Sequence, residues 1–159
     1  MNWAHVHLVL NHLPVILVPV ALALLAFGVV RRSADMTNVS LGLFVVAAVF
    51  GGGVFLTGEP AEEVVAHLPG VSKAAIDEHE EAAEVAAIVT GLAGLLALGV
   101  LVMSRGRRQA PSWLLAATFV VALLAAGLMA RAANLGGRIR HPEIAHAGTN
   151  SEGGTADRL

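Results

Sequence analysis

Four long stretches without a charged residue or a histidine decide the fold class of this chain. They cover residues 13–30, 36–58, 85–104 and 109–130. Each has at least 18 residues, and at a rise of about 1.5 Å per residue such a helix is long enough to span a hydrocarbon core. None carries the polar stripe of a helix in a soluble bundle. The sequence therefore predicts an all-α protein, a bundle of four transmembrane helices.

The predicted spans belong to one domain, residues 1–147, which a flexible tail rich in Gly, Ser and Thr follows at 148–159. The spans are predicted at about 4–30, 36–57, 84–104 and 111–134. In the long outer connection between the second and third spans, proline and turn signals predict a short amphipathic helix over 60–68. Ser72 then suits the N-cap of a helix that continues through Met103.

The composition excludes several kinds of site and partner. A formal net charge of −2 and a hydrophobic content of 56% offer no basic surface for nucleic acid. The chain has no cysteine, which rules out disulfides, thiolate-bound zinc, cysteine-ligated iron–sulfur clusters and covalent c-type haem. Histidine, carboxylate, methionine or backbone groups would have to hold any cofactor.

The distribution of charge predicts the orientation of the helices. The two short turns carry five arginines and one acid, whereas the long connection carries eight acids and one lysine. By the positive-inside rule, the short turns face the cytoplasm and both termini face outward. The sequence thus predicts a multi-pass protein of a bacterial inner membrane, surrounded by lipid.

All the histidines fall at the predicted outer end of the bundle. They precede the first span, lie between the second and third spans, or follow the fourth. Because the middle of every span is apolar, this distribution favours a site at one membrane face over a pathway through the membrane. The histidines are His5, His7, His12, His67, His79, His141 and His146.

Residue spacing on the third helix predicts which polar side chains turn towards the bundle. Glu80 and Glu84 continue a stripe of mostly small residues within the membrane, so both are expected to face inward. His79 continues the neighbouring stripe, which is also small. If both stripes face inward, His79 and Glu84 line a shared space. Glu84 and His12 lie near the hydrocarbon edge, where an unpartnered polar group is costly.

Three hypotheses account for this polar end, and the first is haem b bound by two histidines. Four-helix bundles commonly hold such a cofactor between facing helices. The protein would then be a membrane redox subunit that exchanges electrons with a partner protein or a quinone. The predicted cofactor-binding residues are His12 and His79 as axial ligands, His7 and His141 as substitutes, and Arg138 and Arg140 as partners of the propionates.

The second hypothesis is a non-haem site for Fe, Cu or Zn, since mixed histidine and carboxylate ligands suit these metals. The third is an accessory subunit without a cofactor, which packs through Gly and Ala faces against a larger membrane complex or another copy of itself. No residue pattern indicates a catalytic reaction. The ligands predicted for the metal site are His12, His79, His141, Glu59, Glu80, Glu84 and Glu143.

Several motifs resemble those of a family of small, uncharacterised bacterial inner-membrane proteins with four spans. They include LNHLP at 10–14, TGEPAEE at 57–63, EHEEAA at 78–83 and GGRIRHPEI at 136–144. The resemblance covers most of the chain and implies a fold and a set of residues, without an activity. The positions to which it gives weight are His12, Glu59, His79, Glu80 and His141.

Overall fold

The computed structural model describes residues 2–69, 71–105 and 112–140, and four helices make up nearly all of this part of the chain. They are α1 (Trp3–Val30), α2 (Ala34–Val65), α3 (Lys73–Arg105) and α4 (Ser112–Arg140). Each is long and apolar enough to cross a membrane, and each exposes large apolar side chains on its outer surface. For the described residues, the prediction of an all-α bundle with four membrane-length helices is confirmed.

Helices that follow one another in the chain pack side by side, α1 against α2, α2 against α3 and α3 against α4. A smaller interface between α1 and α4 closes the ring. The starts of α1 and α3 therefore lie at the same end of the bundle as the ends of α2 and α4, and we call this end the His end. Trp3 at the His end and Trp113 at the opposite end are both exposed, which suits the two interfaces of a membrane.

The second helix is longer than the sequence indicated. It continues through Pro60 to Val65, because a proline removes only one backbone donor and the rest of the hydrogen-bond ladder persists. Residues 60–65 thus form the last turns of α2, and the amphipathic helix predicted over 60–68 is not a separate element. The carbonyl of Ser72 accepts the backbone N–H of Ile76 at 3.2 Å, so α3 begins where it was predicted.

Local hydrogen bonds determine the turn between α1 and α2. The Ser33 N–H donates to the Gly28 carbonyl at 2.9 Å, and the Arg32 N–H donates to the Val29 carbonyl at 3.1 Å. These are the two bonds of a Schellman motif, and Arg32 adopts the left-handed conformation that the motif requires, with φ at 52°. A Cβ on Gly28 would lie 2.9 Å from the Thr37 backbone nitrogen. Glycine at this position therefore lets the first turn of α2 pack closely against the end of α1.

The interior of the bundle is built mainly from small side chains, with only a few large ones such as Phe44 and Leu25. Lipid is as apolar as this interior, so close packing and hydrogen bonds between helices contribute more here than apolar burial. One such bond runs from the buried Ser40 hydroxyl to the Ala21 carbonyl of α1 at 2.8 Å. The fully buried alanines are Ala21, Ala47, Ala93, Ala97, Ala122 and Ala125.

Gly94 marks the closest approach of α2 and α3, and we expect Gly94→Ala to destabilise the bundle. A Cβ there would collide with the Ala48 side chain and lie 3.2 Å from the Phe44 carbonyl oxygen. Backbone cannot swing aside, so the two helices must separate, at a cost of about 1–3 kcal/mol. The measurement is the free energy of unfolding in detergent, followed by circular dichroism.

Gly91→Ala is the matched control, one turn earlier on the same helix. A Cβ on Gly91 has nothing within 4 Å, so alanine there should be neutral or stabilising by up to ~1 kcal/mol through its helix propensity. Equal stability changes at Gly91 and Gly94 would contradict the close α2–α3 contact.

Candidate functional site

The imidazole of His7, near the start of α1, is held by α2. His7 Nδ1 lies 3.2 Å from the Thr57 hydroxyl oxygen, and that oxygen lies 3.0 Å from the carbonyl oxygens of both Gly53 and Val54. Carbonyls only accept, so the hydroxyl donates its proton to them and accepts the His7 Nδ1–H through a lone pair. Thr57 is buried and His7 is half-buried. The contact therefore holds the ring against α2.

The imidazole of His79, early in α3, is held in the same way by α4. His79 Nδ1 lies 2.9 Å from the Ala132 carbonyl oxygen, and since that oxygen only accepts, the proton of the neutral ring is on Nδ1. One turn further along α4, Gly136 leaves space for the ring. A Cβ on Gly136 would lie 2.9 Å from His79 Cε1. The ring thus lies directly against the α4 backbone.

The two imidazoles belong to the same end of the bundle. His7 and His79 come from the starts of α1 and α3, which are not adjacent in the ring of helices. Each ring uses its Nδ1 to bond a neighbouring helix. Among the described residues, neither Nε2 makes a hydrogen bond, so both lone pairs are available to a metal. Metal-bound histidines are typically oriented in this way through their other ring nitrogen.

His12, the first choice on α1 from the sequence, lies elsewhere. Its side chain is exposed, and its Nδ1 bonds the Leu8 carbonyl of its own helix at 2.5 Å. Five residues separate His12 from His7, which places them about 140° apart around an α-helix. Only one of the two can face the bundle interior, and that residue is His7.

The expectation that Glu80 and Glu84 face the bundle is wrong, because both side chains are exposed. The stripe of α3 that faces inward is the one that begins with His79. It continues through Ala86 and Thr90, which are buried. Glu84 is five residues from His79 and so lies about 140° around the helix from it. His79 and Glu84 therefore do not line a shared space.

The described residues contain no group of three or more His, Asp or Glu side chains that could hold a metal ion. Glu59 is exposed near the end of α2, and Arg138 is exposed near the end of α4. The predicted sites also included the side chains of Arg140, His141 and Glu143, which lie outside the described residues, as does the predicted tail at 148–159.

The sequence analysis did not identify two groups that belong to this site. One is Gly136, which lies four residues after Ala132 and hence on the same face of α4. That spacing of small residues is a usable signal for the close approach of another group. The other is the Ala132 carbonyl, which carries no residue-type signal. Thr57 begins the TGEPAEE motif, but the sequence does not identify it as a partner of a histidine.

Fold and site together define a bundle of four helices long and apolar enough to cross a membrane, with two anchored histidines at one end. No protein-family model matches the chain, and neither a curated protein nor a solved structure matches it. The function is therefore inferred from the geometry of the His end.

Proposed function

We propose that this protein is a membrane redox subunit that binds haem b through His7 and His79. The observation that carries the proposal is that two imidazoles, from α1 and α3 at the same end of the bundle, are each anchored through Nδ1 to a neighbouring helix. Neither ring makes a hydrogen bond through Nε2 with a described residue. His7 and His79 would hold the haem iron through their Nε2 atoms, since haem in a helical bundle can take two histidines as its protein ligands.

The number of ligands favours haem over a bare metal ion. A porphyrin supplies the equatorial nitrogens, so two histidines complete the coordination of its iron. A bare Zn²⁺ usually takes three or four protein ligands, whereas the described residues offer no cluster of three. The nearby carboxylates Glu80 and Glu84 are exposed on the outer surface of α3.

The surroundings of the two rings are consistent with a flat cofactor. The imidazole of His79 lies against Gly136, where a Cβ would lie 2.9 Å from His79 Cε1, whereas a Cβ on Gly58 would lie at an ordinary van der Waals distance of 3.9 Å from His7 Cε1. The interface between α1 and α4 is the smallest of those between neighbouring helices, so a cofactor bound on that side would displace the least packing. When bound, the haem would supply one-electron transfer.

The charges of the chain favour a His end that faces away from the cytoplasm. The described arginines of the opposite end, Arg31, Arg32 and Arg105, lie beside the short turns, and we give them more weight under the positive-inside rule than Lys73, Arg131 and Arg138 at the His end. His7 lies only four residues after the start of α1, about 6 Å along the axis. A haem at this depth would lie near the outer surface of a bacterial inner membrane and exchange electrons there with a partner protein or a quinone.

An optical spectrum of the full chain tests the proposal. The protein is purified in mild detergent after expression with a haem precursor, and spectra are recorded before and after dithionite, with metal analysis of the same sample. We expect the reduced bands of a b-type cytochrome and one iron per chain. A colourless protein that does not take up added haemin would overturn the proposal. Stoichiometric metal would then favour the non-haem site, and co-purifying subunits without metal would favour the accessory role.

A further inference from the structure

We propose that Thr57 is a positioning residue that fixes the tautomer of His7, so that His7 presents an unprotonated Nε2 to its ligand. This inference rests on the proposed function and deepens it. It assigns a role to a side chain that itself has no contact with a metal. The role follows from how the Thr57 hydroxyl distributes its proton and its lone pairs.

Thr57 differs from the other buried threonines of the bundle. Thr90 and Thr118 each donate to one carbonyl of their own helix, at 2.7 Å and 2.8 Å, which is ordinary behaviour for threonine in a helix. Thr57 lies at 3.0 Å from two carbonyls, those of Gly53 and Val54. In addition, it contacts a side chain of another helix, His7.

The arrangement determines the direction of the hydrogen bond. A free hydroxyl can rotate to donate to or accept from an imidazole nitrogen, so it would select neither tautomer. In Thr57 the proton is directed to the α2 carbonyls, so its lone pairs are expected to face His7. We therefore expect the Nδ1 of His7 to carry the proton in the neutral ring. His79 needs no such intermediary, because it bonds the Ala132 carbonyl directly.

The contact also affects the strength of His7 as a ligand. An imidazole whose Nδ1–H is donated to an acceptor is a more basic ligand through Nε2, and loss of such a partner typically weakens metal binding about 10–100-fold. A more basic axial ligand favours the oxidised iron. Without the Thr57 hydroxyl, we expect weaker haem binding and a higher reduction potential.

Nitrogen NMR of the full chain tests the tautomer without any cofactor. Four proteins labelled with ¹⁵N-histidine are compared: wild type, Thr57→Val, Thr57→Ser and Thr90→Val. The spectra are recorded at a pH high enough for the imidazoles to be neutral. We expect His7 to be a single Nδ1–H tautomer in the wild type, in Thr57→Ser and in Thr90→Val, and a mixture of two tautomers in Thr57→Val. His79 should be unchanged throughout. If the Thr57→Val protein does not fold, Thr57→Ala takes its place in the comparison, because alanine also lacks the hydroxyl and is smaller than valine.

Haemin titration of the same proteins separates this inference from the proposed function. We expect affinity to fall about 10–100-fold in Thr57→Val and to recover in Thr57→Ser. If the wild type binds haem and Thr57→Val keeps both its affinity and a single His7 tautomer, the role of Thr57 is overturned while haem binding stands. If the wild type binds no haem, the proposed function fails, and the tautomer measurement still decides whether Thr57 orients His7.

Discussion

Replacement of His7 or His79 by alanine is expected to abolish the six-coordinate haem spectrum, whereas His12→Ala should leave it unchanged. His7 and His79 are half-buried and bond neighbouring helices, while His12 is exposed and bonds its own helix. Loss of an axial ligand should exceed the effect of losing an outer-shell partner, so affinity should fall by more than about 100-fold. Optical and electron paramagnetic resonance spectra of the three variants measure the change in coordination.

His12→Ala is the matched control, since it removes a histidine from the same helix and the same end of the bundle. A spectrum lost in His12→Ala and kept in His7→Ala would transfer the ligand role to His12. A spectrum kept in His79→Ala would exclude His79 as a ligand. Circular dichroism of each variant establishes that the helices are intact before its spectrum is interpreted.

Gly136→Ala is expected to displace the His79 ring with little loss of protein stability. The new Cβ would lie 2.9 Å from Cε1 and 3.2 Å from Nδ1 of the imidazole. A side chain yields more easily than a backbone, so the ring should move and the 2.9 Å bond to the Ala132 carbonyl should break. Haem affinity should fall by about 10–100-fold, the range for loss of an orienting partner. Haemin titration and the ¹⁵N signals of His79 measure the effect.

Gly137→Ala is the control for this substitution, because a Cβ on Gly137 has nothing within 4 Å. Both variants gain the same helix propensity, so any difference between them reports the contact with His79. An unchanged His79 signal in Gly136→Ala would contradict the contact between the His79 ring and Gly136 of α4.

The helical architecture could be predicted from the sequence because a membrane accepts few structures. Backbone groups must be satisfied within the apolar phase, so long uncharged stretches have to be helices. The start of α3 after Ser72 could also be predicted, from a capping residue after a turn. The end of α2 could not, because Pro60 is equally compatible with the first turn of a new helix and with the interior of a continuing one.

The candidate site was predicted only in part, and α1 explains why. This helix is apolar on almost every side, so no amphipathic stripe reveals which face packs against α2. His7 and His12 point in directions about 140° apart, and the sequence alone gave no reason to prefer His7. On α3, two adjacent stripes of small residues led to the expectation that Glu80 and Glu84 face inward, whereas only the stripe of His79 does.

The sequence by itself determined the number of helices, the membrane-length spans and the common location of the histidines, since each of these follows from hydropathy and connectivity along the chain. Only the tertiary structure decided that His7 and His79 bond neighbouring helices, that Thr57 and the Ala132 carbonyl hold their Nδ1 atoms, and that Gly136 makes room for the His79 ring. These features depend on the rotation of each helix about its axis and on backbone atoms of other helices. Neither leaves a signature in residue type.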